Sequence, residues 1–169
     1  SRALLGEAVA IARKKRMPEL FDFTVSHGNA WRMSPDEDIE KALRIYESAA
    51  KLDAVPEQEA KLWKVQADAL RLRGAADDLR RADRLLERAC RVRRGRWLAE
   101  TLMSRAQVAL AHPDLDEVAR QRGAANFVMD AVRAHRGFGD QDAVVSFLLH
   151  RLAAWERAQP NDSTPARVR

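Results

Sequence analysis

Apolar positions along this chain recur at spacings of three and four, with polar residues between them, over eight stretches joined by short connections. That period belongs to amphipathic helices that bury one face. It predicts helices over 2–16, 18–32, 35–53, 57–73, 76–94, 97–111, 115–136 and 140–158. Pro18, Pro35 and Pro56 each stand where a first turn begins, a place where the fixed helical φ fits and the missing N–H would have had no partner. Ser34 and Glu37 form a capping box around Pro35, and Asp36 and Asp38 add negative charge at the positive end of the helix dipole. Gly74, Gly95 and the Gly137-Phe138-Gly139 turn are expected as helix stops. From Gln159 onward the chain is polar, carries two prolines and shows no period, so 159–169 is read as a disordered tail after a helical domain over 1–158.

The helices repeat. In alternate helices, Phe21, Ala60 and Ala99 share a column, as do Thr24, Trp63 and Leu102, then Gly28, Ala67 and Ala106, then Trp31, Leu70 and Ala109, each step being 39 residues. The third column is always small, which allows close backbone approach. The intervening helices carry their own triplet at internal steps of four and three: Leu5-Val9-Ala12, Ala42-Tyr46-Ala49, Ala82-Leu86-Ala89 and Ala124-Val128-Ala131. A helix pair repeated at a period of 20 to 50 residues marks a solenoid whose units bury their faces against neighbours. Residues 2–16 fit the second helix of a pair whose first helix is absent, and the chain does not begin with Met. A piece of a longer array is therefore expected, the alternative being that residues 2–16 form a capping helix. The apolar stretch DAVVSFLLHRLAAWERA is expected to cover the far end.

At these positions the chain resembles tetratricopeptide repeats, whose unit is two antiparallel helices with an aromatic, a leucine and small residue, and a large residue in the first, then alanine, aromatic, alanine and often proline in the second. The unit around Trp63 carries Trp63, Gln66-Ala67, Leu70, Ala82, Leu86 and Ala89, and the one before it carries His27-Gly28, Trp31, Ala42, Tyr46, Ala49 and Pro56. The match covers about residues 2 to 136, with a period of 39 where the family has 34, and with Gln66 and Arg105 in place of the leucine. Such long repeats look like those of bacterial signalling and defence proteins, where arrays are joined to a CHAT peptidase or an NTPase. The resemblance implies an all-α solenoid of three to four helix pairs that binds a partner in a concave groove lined by the first helices.

Composition agrees with an all-helical chain: of 169 residues, 46% are hydrophobic and 33% charged, with seven Gly and six Pro. No apolar run reaches the roughly 20 residues that span a bilayer, and the first residues lack the apolar stretch of a signal peptide. A cytoplasmic protein is expected. Cys90 is the only cysteine, so no internal disulfide forms and its place beside Ala89 marks it as a small core residue. His27, His112, His135 and His150 are scattered, with no metal-ligand spacing, no phosphate loop and no nucleophile motif. Neither a metal site, a cofactor nor catalysis is expected. Trp97 and Trp155 are expected in the core.

The remaining chemistry is surface chemistry. In the family's register the groove is lined by Asp22, Val25, Asn29 and Arg32, by Lys61, Lys64, Asp68 and Arg71, and by Glu100, Met103, Gln107 and Leu110. Its basic middle and more apolar end suit a peptide with acidic residues and an apolar anchor. Of the positions that form the family's clamp for a terminal carboxylate, only Asn29 matches. The net charge of +5 comes partly from RKKR at 13–16 and from a helical stripe of Arg80, Arg84, Arg88 and Arg91, read as a solvated face with Asp77–Arg81 and Glu87–Arg91 pairs. The expected function is a non-enzymatic protein–protein interaction module within a larger signalling or defence assembly. Two alternatives are a nucleic-acid-associated module that tracks phosphates with that stripe, and a regulatory part of an enzyme whose catalytic domain lies elsewhere.

Overall fold

Strong helix formers between caps give seven helices and no strand among the residues that the computed structural model describes, 2–33 and 38–136. They are α1 (Arg2–Lys15), α2 (Leu20–Arg32), α3 (Ile39–Ala49), α4 (Pro56–Arg73), α5 (Ala76–Val92), α6 (Gly95–Leu110) and α7 (Glu117–Arg136). The expected eighth helix, the 159–169 tail, Trp155, His150 and the Ser34–Glu37 box lie outside the described residues. Several boundaries differ from the sequence expectation, among them the end of α3 at Ala49, four residues early. α3 starts at Ile39, because the Asp38 carboxylate accepts the Lys41 N–H at 2.8 Å and supplies the cap itself. Pro18 stands in a turn ahead of α2, whose cap is Glu19. Gly95 opens α6 instead of closing α5, which ends at Val92. Pro56 does occupy the first helical position of α4, and Gly74 ends that helix with φ +79, a left-handed conformation that a side chain disfavours.

Each helix packs on its neighbour in sequence, and in addition α2 touches α4 and α4 touches α6. No such contact joins α1 to α3, α3 to α5 or α5 to α7. The described helices thus form two layers in a solenoid-like arrangement, and those of the α2, α4 and α6 layer touch one another. The 39-residue step is realised in space: Lys61 Nζ lies 2.8 Å from Asp22 Oδ1, the residue 39 positions earlier.

The repeat columns form the core. Phe21, Ala60 and Ala99, Gly28, Ala67 and Ala106, and Ala42, Tyr46 and Ala49 are all buried. Gly28 explains the ring between two alanines. A Cβ there would lie 2.7 Å from Tyr46 Cδ1, so the missing side chain makes the space that the fully buried Tyr46 fills, while the Tyr46 hydroxyl donates to Asn29 Oδ1 at 2.7 Å. At the turn between α4 and α5, Arg73 makes a two-pronged pair with the buried Asp78, at 2.7 and 2.6 Å, and reaches Glu40 of α3 at 2.9 Å. This node ties two repeats together.

At the α1–α2–α3 junction, Trp31 Nε1 donates to His27 Nε2 at 3.0 Å, so that nitrogen is unprotonated. Lys41 lies 3.5 Å and Arg2 4.4 Å from the centre of the Trp31 ring. Burial pushes the His27 pKa below its ordinary 6.5, and Lys41 pushes it the same way. The neutral form is the folded form, so the unfolded chain binds more protons. Stability from this group is complete above about pH 6.5 and is lost as pH falls through the lower folded-state value. The urea midpoint is expected to drop between pH 7.5 and 5.5, and to drop less in His27→Gln. An equal drop in both proteins would remove His27 as the cause.

Candidate functional site

The N-terminal halves of α4 and α6, closed below by the α5–α6 connection, enclose a cleft of about 650 Å³ lined by Glu57, Gln58, Lys61, Lys64, Val65, Val92, Arg93, Arg94, Trp97 and Glu100. Val65, Val92 and Trp97 supply its apolar part. Trp97 leaves 55% of its surface open, whereas Val65, which also lines the cleft, is buried. The Arg93 and Arg96 guanidiniums lie 5.4 and 5.5 Å from the centre of the Trp97 ring, cations held near its electron-rich face. Arg93 Nη1 donates to Thr101 Oγ1 at 3.1 Å, and Thr101 Oγ1 donates to the Trp97 carbonyl at 2.8 Å. These bonds hold Arg93 beside the ring. Burial pulls its pKa down, and Glu100 works against that fall.

Four cations border the cleft. Lys61 pairs with Asp22, and that lysine lowers the Asp22 pKa against the opposing effect of burial. Gln58 helps, donating to Asp22 Oδ2 at 3.2 Å while its own Oε1 accepts the Val55 N–H at the start of α4. Lys64 pairs with Asp68 at 2.8 Å, both side chains largely covered. Arg94 Nη1 is held by the Arg91, Val92 and Arg93 carbonyls at the end of α5, where a positive charge suits the dipole. Glu100 receives Arg96 at 3.2 Å.

The predicted groove residues divide by column. The Asp22, Lys61 and Glu100 column is the accessible one, and two of its members line the cleft. The Val25, Lys64 and Met103 column turns inward: Val25 is fully buried and Met103 is packed with Ala99, Leu102 and Ala131, so neither presents much surface to a partner. In the next column Asn29 accepts from Tyr46 and Asp68 is buried against Lys64, while Gln107 is half-buried. Arg32 and Arg71 form the last column with Leu110 and are half-buried. The cleft gathers Lys61 and Lys64 but not Asn29, Arg32, Arg71, Met103 or Gln107.

No known protein family, curated protein or solved structure matches this chain.

The arginine stripe is largely occupied by its own neighbours. Arg80 makes a two-pronged pair with Asp114, at 2.7 and 2.6 Å, and a further bond to Asp77 at 2.7 Å. Asp77 therefore takes Arg80, one turn away, and not the expected Arg81. Arg88 lies over the Trp63 ring at 4.2 Å and Arg91 pairs with Glu87 at 2.6 Å, as expected. Arg84 is exposed. Among the described residues no three His, Cys, Asp or Glu come together as metal ligands, and no helix there is long and apolar enough to cross a membrane. Cys90 is half-buried and burial raises its thiol pKa, the reverse of the depression that activates a nucleophile.

Trp97 is the residue that sequence reasoning misplaced. The signal was present in its column, whose other members, 39 and 78 residues earlier, are Gln58 and Glu19. A tryptophan in an otherwise polar column is an outward-facing one.

Proposed function

We propose that this chain is a tetratricopeptide-like module that binds a peptide segment of a partner protein, without catalysis, along the face of α2, α4 and α6. The observation that carries this reading is the cleft in which an exposed Trp97 sits among Lys61, Lys64, Arg93 and Arg94. An open aromatic floor with a cationic border recognises an apolar anchor beside acidic residues. The resemblance of the repeat columns to tetratricopeptide units supports both the groove and a place in a larger assembly. The pairing of Arg80, Arg88 and Arg91 within the molecule counts against phosphate tracking as the main role.

A displayed library of random peptides tests the proposal. Enrichment of peptides with an aromatic or aliphatic residue near Asp or Glu is expected, bound more weakly at high salt. Replacing Lys61 and Lys64 together by Gln, which keeps an amide donor for Asp68, should weaken the selected peptides by about ten-fold, roughly 1.4 kcal/mol. A library that yields no consensus, or peptides insensitive to this change but sensitive to neutralising Arg80 and Arg84, would sink the reading.

A further inference from the structure

A second feature of the same face lies beyond the cleft. The Nε atoms of Arg32 and Arg71 are out of contact with solvent and have no hydrogen-bond partner among the described residues, a condition that buried polar atoms rarely keep without an ion or water to satisfy them. Neither guanidinium has an ion-pair partner there. The nearby carboxylates are engaged, Asp68 by Lys64 and Asp22 by Lys61.

The two arginines are 39 residues apart, in the same column of α2 and α4. At the other end of these helices the same step puts Lys61 in contact with Asp22. α2 touches α4 along this layer, and one turn before Arg32 the Asn29 side chain of α2 accepts the Tyr46 hydroxyl of α3. The register therefore gives Arg32 and Arg71 equivalent places near the C-terminal ends of two neighbouring helices of one layer.

We propose that Arg32 and Arg71 together form an oxyanion site that holds a carboxylate or phosphoryl group of the bound peptide. The inference rests on the peptide-binding reading for its ligand, but the site itself is a property of the two side chains. An oxyanion held between them accepts from the Nη groups, and a turn of each guanidinium brings the Nε–H into a two-pronged bond. The place of the site relative to the cleft also fixes a spacing. Gln58, which shares Trp97's column and lines the cleft with it, precedes Arg71 by about 20 Å of helix at 1.5 Å per residue. With one interhelical step of roughly 9 Å added sideways, an extended peptide needs about six residues between the anchor on Trp97 and the anionic group at the arginines.

Nitrogen-15 spectra of the arginine Nε–H groups, assigned by Arg32→Lys and Arg71→Lys, test this on the whole chain with inorganic phosphate and, separately, acetate as probes. The Arg32 and Arg71 signals are expected to shift together and saturate with one midpoint, while exposed Arg84 drifts linearly. Arg71→Lys, which keeps the charge but loses the fork, should weaken the Arg32 midpoint at least five-fold with the amide spectrum otherwise unchanged. Saturation by both probes assigns the site to carboxylates as well as phosphoryl groups; saturation by phosphate alone assigns it to a phosphoryl group. Linear drift of both signals with both probes, or an Arg32 midpoint indifferent to Arg71→Lys, overturns the proposal. A library without any consensus alongside saturable phosphate binding would remove the peptide and leave the site.

Discussion

Gly28→Ala is expected to destabilise the protein by about 2 to 3 kcal/mol, the upper part of the range for adding atoms to a packed core. For a domain of this size that corresponds to a fall in Tm of roughly 5 to 10 °C. The added methyl would sit 2.7 Å from Tyr46 Cδ1 and 3.1 Å from Cζ. Tyr46 has no room to retreat, being fully buried, bracketed by Ala42 and Ala49 and fixed at its hydroxyl by Asn29. The substitution also improves helix propensity, which alone favours Ala by about 1 kcal/mol, so the clash has to exceed that gain. Gly6→Ala separates the two effects. There the new methyl would meet only the His27 ring, at an ordinary 3.6 Å, and a stability gain of up to about 1 kcal/mol is expected. Thermal unfolding of the two variants should therefore move in opposite directions. If both rise, the close fit of Tyr46 on Gly28 is not a constraint.

The columns that meet in that fit were legible in the sequence because they repeat, although the small column was read as admitting a neighbouring backbone and at Gly28 it is the Tyr46 ring that fills the space. A small residue stands at 28, 67 and 106, and a large one at 46 and 86 on the helix that packs there. Periodicity reports which face is buried, and the solenoid arrangement follows from two such faces alternating at a fixed step. The groove was legible less well, for two physical reasons. A helix in the inner layer has a boundary between its buried and open faces, and the Val25, Lys64 and Met103 column falls on the buried side of it, which one residue's polarity does not reveal. Some of the ion pairs that engage the surface arginines join separate elements. Arg80 finds Asp114 beyond α6, and Arg73 finds Glu40 on α3; such pairs depend on the packing of helices and leave no trace at i,i+3 or i,i+4 spacing. Where the sequence offered a local partner, as for Glu87 and Arg91, the expectation was met.

Trp97→Ala is expected to reduce the affinity of a selected peptide by about 30-fold or more, some 2 kcal/mol, the cost typical of truncating an aromatic anchor at the centre of an interface. The same change should leave folding stability nearly intact, because the ring is 55% exposed and its flanking contacts include the Arg93 and Arg96 guanidiniums. That combination distinguishes a binding residue from a core residue. Trp63, half-buried in the column of the buried Thr24 and Leu102 with Arg88 over its ring, supplies the contrast: Trp63→Ala should lower stability by about 1 to 3 kcal/mol, and any loss of binding would follow unfolding. Trp97→Phe keeps a flat apolar surface and should retain most of the affinity. Full affinity in Trp97→Ala would exclude the cleft as the anchor site. Loss restored by Phe, with unchanged urea midpoints across the three proteins, ties recognition to the aromatic floor, and the cations around it then act mainly on the approach and orientation of an acidic partner.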